Sequence, residues 1–110
     1  MGGLAEILEL LMDKELAERL KNSRVIELDY TARLKDGDSI VIELRCNGGV
    51  EALTYRSSDD GSEFAHDMLK REAQAINDYL RRRIDGFDAK FLGYYFLGNL
   101  QKQRSFGALL

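Results

Sequence analysis

The sequence of 110 residues predicts a single α+β domain, in which helices pack on one face of a small antiparallel sheet. Two observations support this fold class. Apolar residues recur every three or four positions near the start of the chain and again in its second half, which indicates amphipathic helices. Between these segments apolar and polar residues alternate with a period of two, which indicates strands with one buried face.

The first predicted helix covers residues 4–21. In the first half its apolar residues form one stripe, and further along they recur at every fourth position. Because a helical turn takes 3.6 residues, a spacing of four makes the apolar face rotate along the helix. A single curved or kinked helix explains this rotation. The alternative is a break near Asp13, with that residue capping a second short helix. Asn22 and Ser23 end the helical segment. The Leu-rich first half of the segment is also suited to a contact between two copies of the chain.

Three strands are predicted next, over residues 26–34, 40–46 and 50–56. The connections at residues 36–38 and 47–49 are short and contain Gly, as hairpin turns do. The sequence therefore predicts a three-stranded antiparallel meander.

A long helix is predicted over residues 63–84, with Gly86 as its C-cap. We expect residues 88–103 to form a final helix. A fourth strand is the alternative, because this segment contains two glycines and adjacent aromatic residues. Residues 105–110 are expected to form a loose tail.

The segment FLGYYFLGNL, residues 91–100, holds more large apolar side chains than one buried stripe needs. We expect it to close the core and to leave some side chains available to a partner. Aromatic residues dominate the energetics of protein interfaces. The predicted partner-binding anchors are therefore Phe91, Tyr94, Tyr95 and Phe96. The segment is too short to span a membrane, which takes about 20 apolar residues.

The sequence predicts neither catalysis nor a metal site, because the chain has one Cys and one His, on different elements. Cys46 is in phase with the buried face of its strand and is expected to pack in the core. His66 is expected to lie on the surface of the long helix. We therefore predict that the chain is not an enzyme and needs no cofactor.

The net charge is −3, with an acidic first half and a slightly basic second half. The acidic half is predicted to present a negative surface to a basic partner. The residues of this predicted surface are Glu6, Glu9, Glu15, Glu18, Glu27, Asp29, Glu43 and Glu51. The densest basic group consists of Arg81, Arg82, Arg83 and Lys90, which are the candidate nucleic-acid contacts.

The leading functional hypothesis is a small protein-binding module that inhibits or neutralises a partner protein by covering its surface, as small anti-defence inhibitors of phages and mobile elements do. We expect it to be a homodimer. One alternative is a nucleic-acid-associated protein that uses the basic C-terminal half. Another is a small-ligand sensor with Tyr30 or Tyr55 as a polar handle. The single cysteine and the absence of a signal-peptide pattern favour the cytoplasm.

Overall fold

The computed structural model describes residues 3–34, 40–47, 50–56, 62–97 and 102–110. Two short helices lead into three strands, a long helix and two further strands, which confirms the α+β class. The elements are α1 (Leu4–Leu11), α2 (Lys14–Asn22), β1 (Val25–Leu34), β2 (Ile40–Cys46), β3 (Val50–Arg56), α3 (Ser62–Arg83), β4 (Lys90–Leu97) and β5 (Lys102–Ala108).

The five strands form one sheet in the order β3-β2-β1-β4-β5. The first three strands make the predicted antiparallel meander, because β1 pairs with β2 and β2 pairs with β3 in antiparallel fashion. β4 lies on the other side of β1 and runs parallel to it, and β5 is antiparallel to β4. The sheet is therefore mixed, and the prediction of a purely antiparallel sheet is wrong.

The parallel pairing of β1 and β4 depends on α3. Parallel strands need a long crossover connection, and α3 supplies it by carrying the chain from β3, at one edge of the sheet, back to β4 beside β1. Gly86 has a φ of +74° in the turn between α3 and β4. This positive φ is readily adopted only by glycine, in agreement with its predicted role at the end of the helix.

The N-terminal helical segment is broken at Met12 and Asp13. The Asp13 carboxylate accepts a hydrogen bond of 2.8 Å from the backbone N–H of Leu16, and so caps α2. The prediction of one continuous helix is wrong, and the alternative of a break near Asp13 is confirmed. The backbone N–H of Leu4 donates to the Glu72 carboxylate at 2.8 Å, which ties the start of α1 to α3.

The C-terminal segment forms strands. The predicted final helix over residues 88–103 is wrong, and the strand alternative is confirmed for β4. The predicted loose tail is also wrong, because β5 extends to Ala108 and Leu109 is buried. Leu109 donates its backbone N–H to the Phe91 carbonyl at 2.8 Å and packs against Gly93, where a Cβ would lie 2.8 Å from Leu109 Cδ2.

The core lies between the helices and one face of the sheet, as predicted. Every second residue of β1 and β4 points into it, and α1, α2 and α3 all contribute to the same cluster. The largest fully buried side chains are Leu4, Leu8, Ile26, Leu28, Tyr30, Ile42, Leu69, Ile76, Leu80, Phe91 and Tyr95.

Candidate functional site: the open face of the sheet

The second face of the sheet is the leading candidate for a functional surface. All the described helices pack on the first face, so none of them covers the side chains that point the other way from β1, β2 and β4. We call this surface the open face. Its described members are Val25, Glu27, Asp29, Thr31, Arg33, Arg45, Leu92, Tyr94 and Phe96.

An aromatic pair lies on the β4 part of the open face. The rings of Tyr94 and Phe96 are stacked, with centroids 6.4 Å apart and an interplanar angle of 22°. Both side chains are partly exposed, as is Leu92 two residues earlier. Three large apolar side chains in a row on a solvent-facing strand are unusual, because such positions are commonly polar.

The structure divides the four predicted anchors between the two faces of the sheet. Phe91 and Tyr95 are each 1% exposed and belong to the core. The Tyr95 ring lies 5.3 Å from that of Tyr30. A partner of the folded chain can therefore reach Tyr94 and Phe96 but not the other two.

An acidic pair lies beside these aromatic residues. Asp29 is in register with Tyr94 on β4 and with Arg45 on β2, and Glu27 precedes it on the same face. Burial raises the pKa of the Asp29 carboxyl, the charge of Glu27 raises it further, and Arg45 lowers it. Ionisation of Asp29 is therefore less favoured in the folded chain than in water, and a further positive charge beside it would favour the ionised form.

A basic group lies at one end of the fold. Arg81, Arg82 and Arg83 are exposed at the end of α3, and Lys90 is exposed at the start of β4. The backbone N–H of Lys90 donates to the Arg24 carbonyl at 2.9 Å, so the strand pairing adds Arg24 to this end. We call Lys21, Arg24, Arg81, Arg82, Arg83 and Lys90 the basic end.

Sequence reasoning missed Lys21 and Arg24 as members of the basic end. They become relevant only because β1 pairs with β4. Two acidic residues, Asp85 and Asp88, are exposed in the turn between α3 and β4 and partly offset the positive charge.

A cavity of about 350 Å³ lies at the break between α1 and α2. Its apolar lining includes Leu8, Leu11, Leu16, Leu20 and Cys46. Tyr30, one of the two residues predicted as a ligand handle, is not among the residues that line this cavity. Tyr30 is buried in the core, and the side chain of Tyr55 lies outside the described part of the structure.

Cys46 and His66 occupy the positions that the sequence indicates. Cys46 is buried, and burial, with a smaller effect of Asp29, raises the pKa of its thiol to about 12. The thiol is therefore protonated at neutral pH and is a poor nucleophile. The His66 ring is partly exposed and contacts Phe106 edge to face, with centroids 5.1 Å apart.

Within the described ranges, no three His, Cys, Asp or Glu side chains are grouped so as to hold a metal ion. Among the same residues, no helix has both the length and the apolar character needed to cross a membrane.

No known protein family, curated protein or solved structure matches this chain. The open face, the basic end and the cavity are therefore the features from which a function can be inferred.

Proposed function

We propose that this chain is a small non-enzymatic protein-binding module, which acts as an inhibitor or neutraliser by covering a surface of a partner protein. The observation that carries this proposal is the open face, where Tyr94 and Phe96 lie beside Glu27 and Asp29. In this proposal Tyr94 and Phe96 are the anchors. The free buried thiol of Cys46 fits a reducing compartment such as the cytoplasm.

The open face also indicates the chemistry of the partner. Tyr94 and Phe96 offer stacked apolar rings that a partner's aliphatic or aromatic side chain can cover. The raised pKa of Asp29 means that a partner's Lys or Arg placed next to it relieves an unfavourable charge. The partner surface therefore combines an apolar side chain with a nearby basic one.

A peptide-display library tests this proposal even though the partner is unidentified. The folded chain serves as bait, and we expect the selected peptides to combine Lys or Arg with large apolar residues. Phe96→Ala and Asp29→Asn should each weaken binding of a selected peptide by roughly tenfold or more, as loss of an interface anchor does.

Phe106→Ala is the matched control for Phe96→Ala. Phe106 is also partly exposed, but it packs against the core on the helix side of the sheet. Its substitution should leave peptide binding intact. Selection of no peptides, or of peptides that bind the Phe96→Ala variant as well as the wild type, would overturn the proposal.

Nucleic-acid binding is a second candidate, favoured by the convergence of three segments at the basic end. Because Arg24 pairs with Lys90, the C-terminus of α2 and the start of β1 lie at the same end of the fold as the three arginines of α3. Exposed cations gathered in this way can contact successive phosphates. Asp85, Asp88 and the net charge of −3 weigh against this candidate.

Fluorescence polarisation with labelled single- and double-stranded DNA tests the second candidate. Under this candidate the wild type binds at low salt, affinity falls steeply as salt rises, and Arg81→Glu combined with Arg82→Glu removes binding. The same double variant should still bind the selected peptides. Failure of the wild type to bind either probe at low salt would reject nucleic-acid binding.

A further inference from the structure

The cavity at the break between α1 and α2 has a charged side as well as an apolar one. Two neighbouring rows of α2 line it. Leu16 and Leu20 form an apolar row. Glu15 and Arg19 form a charged row beside it, and residues four apart share one face of a helix. Among the described residues, neither Glu15 nor Arg19 takes part in an ion pair, which leaves both charges available to a ligand.

The buried part of the lining is apolar. Leu8 of α1, Leu20 of α2 and Cys46 of β2 are 0%, 4% and 2% exposed. The polar residues of the lining are all exposed: Asp13, Glu15, Arg19 and Asn47. A ligand therefore meets charged groups at the mouth and apolar side chains beneath them. A cavity of roughly 150 Å³ takes up benzene, so a cavity of about 350 Å³ has room for an aromatic ring or a branched alkyl group together with a short charged head.

Two polar residues at the mouth of the cavity are fixed in place by hydrogen bonds. Asp13 Oδ1 accepts from the backbone N–H of Leu16 at 2.8 Å. Asn47 Oδ1 accepts from the backbone N–H of Glu27 at 2.8 Å, and the Asn47 backbone N–H donates to the Glu27 carbonyl at 2.8 Å. The Nδ2 group of Asn47 is therefore the part of this side chain that can donate to a ligand. Groups held in this way lose little conformational freedom on binding, which favours affinity.

We propose that this cavity binds a free apolar α-amino acid. Arg19 holds the ligand's carboxylate and Glu15 holds its ammonium group, while its side chain lies against Leu8, Leu20 and Cys46. Charge complementarity selects this class of ligand. A molecule with a carboxylate alone is repelled by Glu15, and one with an ammonium group alone is repelled by Arg19. An amino acid carries both charges close together, and its carboxylate suits the paired N–H donors of a guanidinium group.

Titration of the full chain with L-phenylalanine, followed by the NMR shifts of its backbone amides, tests the proposal. We expect a Kd of about 1 mM or tighter, which is reasonable for a ligand of this size. Phenylalaninamide lacks the carboxylate and N-acetylphenylalanine lacks the ammonium group, and each should bind roughly tenfold more weakly. Alanine keeps both charges but has almost no side chain, so it should also bind weakly. The two derivatives represent the first and last residues of a peptide, so the comparison distinguishes a free amino acid from a peptide terminus.

Substitution of Arg19 separates a role in holding the carboxylate from a structural role. Arg19→Gln should weaken the binding of phenylalanine roughly tenfold without weakening that of phenylalaninamide, which has no carboxylate for Arg19 to hold. A purely structural role of Arg19 would weaken both ligands equally. Lys14→Gln is the matched control, because Lys14 is exposed on the same helix but does not line the cavity. It should leave both affinities unchanged.

The same NMR spectra locate the site. We expect the largest shifts at Leu16, Cys46 and Asn47, and no shifts at Tyr94 and Phe96, which do not line the cavity. The result is therefore independent of peptide binding to the open face. No saturable shifts up to about 50 mM phenylalanine would overturn the proposal, and so would equal affinity for phenylalanine and its two derivatives. Shifts at the cavity residues that grow with protein concentration alone would give the cavity to a second copy of the chain instead.

Discussion

Two phenylalanines on one strand provide the most direct test of which face of the sheet is covered. Phe91 and Phe96 both lie on β4 but point to opposite faces. Phe91 is 1% exposed and its ring lies 6.5 Å from that of Phe87. Phe96 is partly exposed and stacks on Tyr94. The loss of stability on substitution to alanine therefore compares the buried environment of Phe91 with the partly exposed environment of Phe96.

The expected losses differ because only one substitution leaves an enclosed cavity. Phe91→Ala should lower the free energy of unfolding by about 3–5 kcal/mol, which combines the lost transfer free energy with the cost of the cavity. Phe96→Ala should cost about 1–2 kcal/mol, since water can fill the space on the open face and only the transfer term is lost.

Urea denaturation followed by circular dichroism measures this difference. With an m-value of about 2 kcal/mol/M, the central difference of about 2.5 kcal/mol between the two expected losses separates the two urea midpoints by roughly 1 M. If Phe91→Ala fails to fold, Phe91→Leu removes less volume and should still be more destabilising than Phe96→Leu. Equal losses at the two positions would mean that the open face is covered in the free chain, and the reasoning behind the docking surface would fail.

Four further substitutions or measurements follow from single contacts. Gly93→Ala should cost about 1–3 kcal/mol in thermal denaturation because its Cβ would meet Leu109, and adding Leu109→Ala should recover part of that cost, which a double-mutant cycle detects. Cys46 should react slowly with iodoacetamide at neutral pH in the folded chain, and more rapidly once the chain is unfolded in urea. Because folding raises the pKa of its thiol from 9.0 to about 12, the free energy of unfolding should fall as the pH rises between these values, where the thiol ionises in the unfolded chain first. Asp29→Asn should raise the free energy of unfolding at neutral pH, because folding raises the pKa of the Asp29 carboxyl. In urea denaturation below pH 3.8 this gain in stability should disappear, because the carboxyl is then protonated in both the folded and the unfolded chain. Asp13→Ala should cost about 1 kcal/mol through loss of the cap on α2, measured by thermal denaturation.

The elements held by local contacts are predictable from the sequence. Alternation of apolar and polar residues identifies β1 and β2, and the short connection between these two strands favours their antiparallel pairing. The break at Asp13 is predictable only as an alternative, because a rotating apolar stripe is compatible with a curved helix and with two helices. The capping ability of Asp13 is the signal that favours two helices.

The C-terminal strands are harder to predict because β4 is apolar on both faces. Phe91 and Tyr95 fill the core while Leu92, Tyr94 and Phe96 lie on the open face, so no alternation is visible in the sequence. A strand inside a sheet that is apolar on both sides reads as a continuous hydrophobic run, which periodicity cannot distinguish from a buried helix. This ambiguity is why the sequence leads to a helix for the final segment.

Membership of the candidate sites depends on one long-range pairing. The contact between β1 and β4 places Asp29 beside Tyr94 and Arg24 beside Lys90, and each pair is more than sixty residues apart in the sequence. Composition and spacing identify Tyr94 and Lys90 as candidate residues one at a time, but they do not show which residues lie next to them in the fold. The open face is thus a consequence of the crossover through α3.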